Sequence, residues 1–576
     1  MSYENEQRRL LALFEQVSTS DNEHASSDEE RFDHISQRSQ DSDTEQEGSD
    51  SDERETIITT SDQQFFTGKD NITKWSSQPP RSNVRKRSEN IILQKHGVNP
   101  FAQNSKTEIE CWKHFISTRM LQQILCFTNA KIKQRQFANN DKSRKYFLKE
   151  ATMEELLALL GLMYLAGLNH SNRQNLSDLW RSDGTGVDIF RTTMSMQRFY
   201  FLQSCLRFDD ALTRQERKSL DNLAPIRSIF EDFVSNCKYT YTPSKYLTID
   251  EKLEAFRGRC SFRQYIPNKP AKYGIKMYAL VDVKNFYTVN LEIYPGKQPD
   301  GPFLQSNKAF DVVDRLVQPI SKSNRNITFD NWFTSVPLMT HLQKNHKLTS
   351  TGTLRKNKKE IPPRFITTRG KEIYSTQFAF QKDITLVSYI PKKSKVMLVL
   401  SSLHHDQNID PTSGDKCKPE ILTFYNSTKI GVDVVDELCA AYDVSRNSKR
   451  WPMTVFYAIM NVAAINSVII YRENNNSQIN RSDFLRKLGL SMLEGHLCVR
   501  KNMENLPRGL RKRIHDQFGE TMTYAPSKSS TTYRRCKVCP SAKDRKTKHN
   551  CNKCNKPICM QHIIPLCQSC VDLDSD

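Results

Sequence analysis

The spacing of apolar residues changes near residue 240. Between about 100 and 235 they recur every three or four positions, as on one face of a helix. Leu121, Ile124, Leu125 and Ala130 share one such face. A second helix is expected to follow Thr152, because a capping side chain followed by acidic residues is a helix start signal. This region is therefore predicted to be α-helical.

From about residue 240 the pattern indicates strands that alternate with helices. The expected elements are, in order, strands at 246–249, 277–283 and 287–294, a helix at 309–320, a strand at 326–329, a helix at 336–345 and a strand at 348–354. The first of these strands ends at Asp250 and the fourth at Asp330. This order fits an α/β RNase H-like core, in which a mixed sheet presents acidic residues from strand ends.

The rest of the chain divides by composition. Residues 356–420 are strand-like and basic, with the clearest strands at 384–389 and 396–400, and helix returns from Gly431 to about 515. The expected segments are a disordered acidic, Ser-rich region and linker (1–99), a helical domain in two parts (100–243 and, with a linker, 443–530), the α/β core in two parts (244–355 and 421–442), a β-rich insertion (356–420) and a cysteine-rich region (531–576).

Charge is distributed unevenly. The chain has a net charge of +20, but residues 1–55 contain 17 acidic and 5 basic residues. The remaining residues contain 80 basic and 48 acidic side chains, which predicts a polyanionic partner such as DNA. Residues 18–55 have few apolar side chains with which to offset the entropy of ordering, so we expect disorder there.

No segment predicts a membrane span or a secretory signal. The apolar run at 156–165 is too short to cross a bilayer, and the amino terminus is acidic. We therefore expect a cytosolic or nuclear protein with no membrane partner. Two basic runs, Arg85–Arg87 and Arg508–Arg513, are candidate nuclear localisation signals or phosphate-binding patches.

Four aspartates are candidates for metal-dependent phosphoryl transfer. Asp250 and Asp330 follow apolar strands, and Asp433 and Asp436 are three residues apart on a predicted helix, so they share a face. Mg²⁺ prefers oxygen ligands, and two such ions can activate an attacking oxygen and stabilise a leaving one. Each aspartate alone also fits a turn or a helix start, so the argument depends on the surrounding sequence.

The surrounding segments resemble the catalytic motifs of piggyBac transposases. The similar segments are Leu247-Thr-Ile-Asp-Glu-Lys-Leu-Glu-Ala-Phe-Arg-Gly-Arg259, Tyr265-Ile-Pro-Asn-Lys-Pro-Ala-Lys-Tyr-Gly-Ile-Lys276, Asn326-Ile-Thr-Phe-Asp-Asn-Trp-Phe-Thr-Ser335, Gly431-Val-Asp-Val-Val-Asp436 and Ser445-Arg-Asn-Ser-Lys-Arg-Trp-Pro452. The resemblance extends from about residue 100 to the carboxyl terminus. It implies that the α/β core is catalytic and that the helical segments on both sides of it (100–243 and 443–530) form one split dimerisation and DNA-binding domain. It implies that Asp250, Asp330 and Asp433 are the catalytic and Mg²⁺ (or Mn²⁺) ligands, with Asp436 as a fourth acidic residue.

The resemblance also implies a complete reaction. Family members nick transposon ends, and the freed 3′-hydroxyl attacks the other strand to form a hairpin that is later opened. The ends are then inserted at TTAA sites, and excision leaves no scar. The expected enzyme is thus a homodimeric transposase that uses two active-site metal ions on double-stranded DNA, with no small-molecule substrate, in the nucleus.

Basic and aromatic residues beside the aspartates are candidates for DNA contact. They are Arg257, Arg259, Lys269, Lys272, Lys276, Lys356, Lys449, Arg450 and Trp451, together with Lys543, Arg545 and Lys546 near the carboxyl terminus. Cations neutralise phosphates, and the indole ring of Trp451 can stack on a base. Any single lysine is equally compatible with a solvated surface, and Trp451 with a place in the core.

Cysteines are concentrated near the carboxyl terminus. Of the 15 cysteines, seven lie between Cys536 and Cys570, where four pairs have metal-ligand spacing. The pairs are Cys536 and Cys539, Cys551 and Cys554, Cys559 and His562, and Cys567 and Cys570. Eight ligands make two tetrahedral Zn²⁺ sites. Pairing can be interleaved or sequential; we favour the interleaved form, and the resemblance implies a cross-brace domain that binds repeats in the transposon end.

Two other functions fit parts of the sequence. A domesticated derivative would keep the fold and bind specific DNA without transposition, although the four aspartates favour activity. A zinc-dependent chromatin reader would use the core as a scaffold, and its tail would bind a histone peptide rather than DNA. A related nuclease that cuts without joining would give no strand-transfer product.

Overall fold

Within the part of the chain that the structure describes, one mixed β-sheet of twelve strands organises the fold. The computed structural model describes residues 46–47, 65–80, 91–92, 94–138, 147–172, 174–267, 269–503, 506–518, 532–551 and 556–563. The strands are β1 (Gln46–Glu47), β2 (Phe65–Thr67), β3 (Lys74–Ser76), β4 (Gly97–Val98), β5 (Tyr241–Thr242), β6 (Tyr246–Ala255), β7 (Gln264–Tyr265), β8 (Tyr273–Asp282), β9 (Thr288–Ile293), β10 (Asn326–Phe329), β11 (Thr349–Thr353), β12 (Thr376–Phe380), β13 (Thr385–Lys392), β14 (Lys395–Ser401), β15 (Arg534–Arg535) and β16 (Lys546–Thr547).

Helices surround this sheet and continue on both sides of it in sequence. They are α1 (Glu108–Lys113), α2 (Thr118–Ala138), α3 (Met153–Leu168), α4 (Leu176–Leu179), α5 (Asp188–Thr193), α6 (Met196–Cys205), α7 (Arg214–Lys218), α8 (Arg227–Thr240), α9 (Ala309–Leu316), α10 (Val336–His346), α11 (Pro363–Ile366), α12 (Glu420–Thr428), α13 (Gly431–Ala441), α14 (Trp451–Asn475), α15 (Arg481–Lys501) and α16 (Arg508–Gln517).

The centre of the sheet has the order β9-β8-β6-β10-β11. β6, β8 and β9 are antiparallel neighbours, whereas β10 lies parallel to both β6 and β11. α10 makes the crossover between β10 and β11, as parallel neighbours require. The predicted alternation of strands and helices is confirmed here, because long apolar runs on these strands become buried on both faces.

β6 differs from its prediction in length. The strand does not end at Asp250 but continues to Ala255, because residues 250–255 keep pairing with β8. Pairing with β10 stops at Ile249, opposite Phe329. Asp250 therefore lies just beyond the point where β6 stops pairing with β10, although β6 continues to pair with β8 on its other side.

The segment predicted as a β-rich insertion extends the same sheet. β14 pairs with β11, and β13 and β12 follow in antiparallel order. β3 and β2 complete this edge, with Ser76 opposite Phe380. Trp75 is fully buried, and its indole N–H donates to the Glu360 carbonyl. Residues 65–80, expected within a linker, are thus packed against the body, because Trp75 is a large apolar surface to bury.

The two helical segments pack on each other beside the sheet. α3, capped by Thr152 as predicted, lies against α15 at a glycine contact, where a Cβ on Gly161 would come within 2.8 Å of the Gly489 carbonyl oxygen. A buried ion pair of 2.6 Å joins Arg198 to Glu155. α12, which precedes Gly431, was not predicted.

α14 passes the length and hydropathy criteria for a membrane span. Its 18-residue apolar window has a mean hydropathy of 1.8, but all of that window is buried inside the protein. Its side chains pack against α1, α8 and β6 in one continuous hydrophobic core with the sheet. A core helix accounts for this apolar stretch.

Candidate active site and metal-binding clusters

Strand register brings Asp250 and Asp330 together. Ile249 and Phe329 are partners in the parallel pair of β6 and β10, and each aspartate is the next residue of its strand. The Asp330 carboxylate accepts a hydrogen bond of 2.9 Å from the backbone N–H of Trp332. The Asp250 carboxylate accepts one of 2.7 Å from Glu251. Two carboxylates thus project from adjacent rigid strands.

Close packing of α13 on the sheet brings Asp433 to the same place. A Cβ on Gly431 would meet Thr248 Oγ1 at 2.9 Å, so glycine permits the helix start to approach β6. Thr428 fixes the preceding turn, since its carbonyl accepts a hydrogen bond from Thr248 and its hydroxyl lies 2.7 Å from that of Thr328. Asp433 then lies in the first turn of α13.

The electrostatics of these carboxylates indicate a cation site. Burial raises the pKa of Asp250 well above its ordinary value, and the negative charges of Asp330 and Asp433 raise it further. The positive charge of Lys269 opposes this rise. Burial and then Glu251 raise the pKa of Asp330 to about 6. Desolvated carboxylates that repel one another favour a bound cation, and an all-oxygen donor set suits Mg²⁺ or Mn²⁺. The donor chemistry of Asp250 and Asp330 therefore fits such ions, with Asp433, whose side chain is 57% exposed, as the third oxygen donor that the sequence predicts.

Lys269 lies among these acids. Its ammonium is 3.3 Å from Asp433 Oδ1 and 3.8 Å from Asp436 Oδ2. Burial lowers the pKa of Lys269, but Asp250, Asp433 and Asp436 outweigh it, so the pKa is raised. Lys269 was predicted to contact DNA; the structure places its charge inside the aspartate cluster.

Asp436 is held by a second lysine. Lys252 Nζ is 2.6 Å from Asp436 Oδ1 and 3.0 Å from Glu254 Oε1. Lys252 is buried, yet the neighbouring acids, Asp436 above all, raise its pKa well above the ordinary value against the effect of desolvation. Asp250, Lys252 and Glu254 alternate on β6 and share one face. Sequence reasoning missed Lys252, although this alternation of charges within a buried strand was visible.

Lys276 does not occupy the predicted position on a DNA-binding surface. Its side chain is 5% exposed and lies 2.8 Å from the Glu251 carboxylate. Its ammonium also lies 4.9 Å from the ring centroids of Tyr278 and Trp332. β8 is buried on both faces from Gly274 to Asp282, so Lys276 lies inside the protein, and this placement does not support contact with phosphates. Trp332 is likewise stacked on Tyr278.

A basic cavity of about 340 Å³ opens beside α14. Its lining includes Arg207, Arg214, Lys218, Lys449, Arg450 and Trp451. Burial and then Arg207 lower the pKa of Arg450 to about 10, so the guanidinium lacks a balancing anion. Asp209, an acidic residue of the lining, forms ion pairs with Arg214 at 2.5 Å and with Arg217 at 2.7 Å. The cavity suits a phosphate, and the distant Arg207 and Arg214 were not found from the sequence.

The other predicted DNA-contact residues lie on the surface or near it. Arg257, Arg259, Lys272, Lys449, Lys543 and Lys546 are exposed, and Lys356 and Arg545 are half-buried. Arg545 donates to the Gln561 side chain. On the candidate localisation signal of α16, Lys512 and Arg513 are exposed and Arg513 pairs with Asp188 at 2.6 Å. Arg85–Arg87 lie outside the described residues.

A compact thiol and imidazole cluster forms near the carboxyl terminus. Ligand atoms of Cys536, Cys539, Cys559 and His562 all lie within 4.8 Å of one another. This grouping joins the first and third predicted pairs, as the interleaved arrangement requires. The fit to zinc rests on the donors: three sulfurs and one imidazole nitrogen suit a tetrahedral Zn²⁺ site. Cys551 is described, whereas Cys554, Cys567 and Cys570 lie outside the described residues, as does the second predicted site.

Comparison with known proteins agrees with this architecture. A family model described as Transposase IS4 matches residues 107–468. A cryo-EM structure of a piggyBac transposase synaptic complex with hairpin DNA is similar at a TM-score of 0.73 and 35% identity, over 83% of this chain and 100% of that chain.

The chain belongs to the piggyBac family of transposases. Two human relatives are more distant, each 21% identical over 415 residues or 68% of this chain. The match covers 68% of piggyBac transposable element-derived protein 3 and 38% of the chimeric ERCC6-PGBD3 protein. The predicted resemblance is confirmed. Membership of the piggyBac family implies the use of divalent metal ions.

Proposed function

We propose that this piggyBac family member is an active cut-and-paste DNA transposase with an RNase H-like catalytic core. The observation that carries the proposal is the convergence of Asp250, Asp330 and Asp433 from β6, β10 and α13. The order β9-β8-β6-β10-β11 supports the fold assignment. Excision through a 3′-hydroxyl and a hairpin, followed by insertion at TTAA, is the reaction that the family resemblance implies.

The protein side chains hold and balance the reacting groups. Asp250, Asp330 and Asp433 would bind two Mg²⁺ or Mn²⁺ ions, which supply Lewis acidity for the attacking and leaving oxygens. The strand and helix origins of these carboxylates keep them rigid, and small misplacements cost rate. Lys252 positions Asp436 through its 2.6 Å contact. Before metal binds, the ammonium of Lys269 balances the negative charge of the aspartates.

The proposal includes a binding site for DNA phosphates. The cavity offers the clustered cations Arg207, Lys218 and Arg450, and Trp451 also lines it. Trp451 packs edge-on against Phe262 with ring centroids 5.0 Å apart, which holds the indole in place. Arg257, Arg259 and Lys272 extend the positive surface from the segment after β6. Salt-dependent binding of double-stranded DNA is expected.

The carboxyl-terminal cluster is proposed to bind the transposon terminal repeats. Zinc at Cys536, Cys539, Cys559 and His562 would hold the short β15–β16 hairpin, where Lys546 is exposed. A second zinc ion would use the other two cysteine pairs. Nuclear localisation and action as a homodimer complete the proposal, since the family resemblance implies a dimer and the DNA substrate lies in the nucleus.

An excision assay in cells tests this function. A marked element with matching ends is supplied with the intact chain, with Asp330→Ala, or with Asp300→Ala, which changes an exposed aspartate. Scar-free excision by the intact chain and Asp300→Ala, but not by Asp330→Ala, is expected. Excision by Asp330→Ala at the intact rate would overturn the proposed role of the cluster.

A domesticated, DNA-binding role is the second candidate. The human relative named as a transposable element-derived protein favours considering it. That role predicts retained binding to terminal repeats without excision or strand transfer by the intact chain. Binding of the zinc region to a histone peptide in preference to DNA would instead favour a chromatin reader.

A further inference from the structure

A further cluster of metal-ligating side chains lies on the helices that precede and follow β10 in the chain. Asp314 projects from α9, His341 from α10, and His346 from the last residue of α10. One ligand atom from each lies within 4.8 Å of the others. The five-residue spacing of the histidines on α10 alone would not bring in Asp314; the packing of the two helices does.

Both imidazoles present the same ring nitrogen to one carboxylate oxygen. Asp314 Oδ1 is 2.6 Å from His341 Nε2 and 2.9 Å from His346 Nε2. The ring centroids of the two histidines are 5.4 Å apart. Two imidazole nitrogens and a carboxylate oxygen form the three-ligand set of many zinc sites, which leave the fourth position for water or a substrate.

The outer nitrogens of both rings also have partners. His346 Nδ1 lies 2.9 Å from the Ser321 hydroxyl, and His341 Nδ1 lies 2.9 Å from the Asn345 amide. Such outer contacts fix ring orientation and tautomer around a metal. His346 is 9% exposed, His341 25% and Asp314 33%, so the ligands are anchored on one side and open to an entering ion on the other.

We propose that Asp314, His341 and His346 bind a Zn²⁺ ion that fastens α9 to α10. Bonds from Zn²⁺ to these ligand atoms are about 2.0–2.2 Å long. For the ion to fit between them, the histidine nitrogens and the Asp314 oxygen, which now contact one another through hydrogen bonds, must move apart by roughly half an ångström. Ion binding displaces the Nε2 protons, which move to Nδ1; the Asn345 side chain then turns its oxygen toward His341. Because α9 packs against β8 and β9 and α10 packs against β11, the ion ties together two helices that cover the central sheet. This site is separate from the carboxyl-terminal cluster and from the aspartates.

Zinc content of the full-length chain tests the site. Intact protein, His341→Gln, Asp314→Asn and the control His515→Gln are equilibrated at one buffered free-zinc concentration, and zinc per chain is measured by mass spectrometry. His341→Gln and Asp314→Asn are expected to hold one ion fewer than intact protein and His515→Gln. Asp314→Asn keeps an acceptor for the histidines, so it separates ion loss from misfolding.

Thermal unfolding in a background that combines Cys539→Ser with Cys551→Ser removes the contribution of both proposed carboxyl-terminal ions. Added Zn²⁺ is expected to raise the unfolding midpoint in that background and to lose this effect when His341→Gln is combined with it. Equal zinc content in all four proteins, or a zinc-induced shift that survives His341→Gln, would overturn the proposal. The three residues would then form a hydrogen-bonded tie alone.

Discussion

The aspartate cluster and the carboxyl-terminal cysteine cluster are built in opposite ways. Asp250, Asp330 and Asp433 come from three distant segments: the first two from strands of the sheet and the third from a helix packed on it, all built on one continuous hydrophobic core. The cysteine cluster takes its ligands from residues 536–562, around two-residue strands. The first scaffold can force carboxylates together before an ion arrives. The second has little apolar surface, so the ion itself must stabilise it.

The largest expected effect is on the cysteine cluster. Cys539→Ser should remove one zinc ion and unfold that region, because zinc contributes about 10–16 kcal/mol in small zinc domains. Zinc content and binding to terminal repeats should both fall, while the main thermal transition of the body stays unchanged. Cys498→Ser, an exposed cysteine on α15, is the matched control. Unchanged zinc content in Cys539→Ser would contradict the assignment.

The aspartate scaffold should respond more to loss of a buried ion pair than to loss of metal. Lys252→Met leaves Glu254 without its cation and Asp436 with only the 3.8 Å contact to Lys269, and breaking a buried pair costs about 3–5 kcal/mol. Denaturant unfolding measures this loss. Lys272→Met, at an exposed position, should change the free energy of unfolding by no more than about 0.5 kcal/mol. Equal midpoints for the two variants would show that Lys252 is not a support.

When metal is removed, ionisation of the buried Asp330 carboxyl should lower the free energy of unfolding at neutral pH, compared with its value at acidic pH. Its raised folded pKa of about 6 means that, between about pH 4 and 6, the folded carboxyl keeps a proton that the unfolded chain has released. Stability is therefore lost as pH rises through this window. With chelator at pH 8, Asp330→Asn should be more stable than the intact chain by up to about 3 kcal/mol.

The stability difference between Asp330→Asn and the intact chain should vanish near pH 4, and added Mg²⁺ should reduce it by stabilising the intact chain alone. Asp300→Asn, at an exposed site, should show no such pH dependence. A difference that grows toward low pH would have the wrong sign for this account.

The smallest effect concerns Lys269. Its ammonium competes with metal for Asp433, so Lys269→Met should tighten Mn²⁺ binding several-fold, a change of about 1 kcal/mol. Calorimetric titration at pH 8, above the pKa of about 6 of Asp330, measures the affinity. Lys272→Met should leave it unchanged. Weaker Mn²⁺ binding by Lys269→Met would mean that the lysine organises the carboxylates rather than occupying the place of a cation.

Much of the site was predictable because its signals are local. The strand 326–329 and the helix cap at Thr152 agree with the structure, since each depends on neighbouring residues. Lys269, Lys272 and Lys276 were treated alike, yet one enters the aspartate cluster, one is exposed and one is buried. Strand register and the loop before β8 decide among them, and neither is visible in a run of basic residues.

By itself, the sequence determined the residue chemistry: which aspartates follow apolar strands, which cysteines have metal-ligand spacing, and which segments resemble the piggyBac family. Only the tertiary structure decided what lies side by side. It joined the insertion strands and Trp75 to the core sheet, gathered Arg207 with Arg450, and brought Asp314 to His341 and His346. The physical reason is that local propensity acts over a few residues, whereas burial and ion pairing reward contacts between segments far apart in the chain.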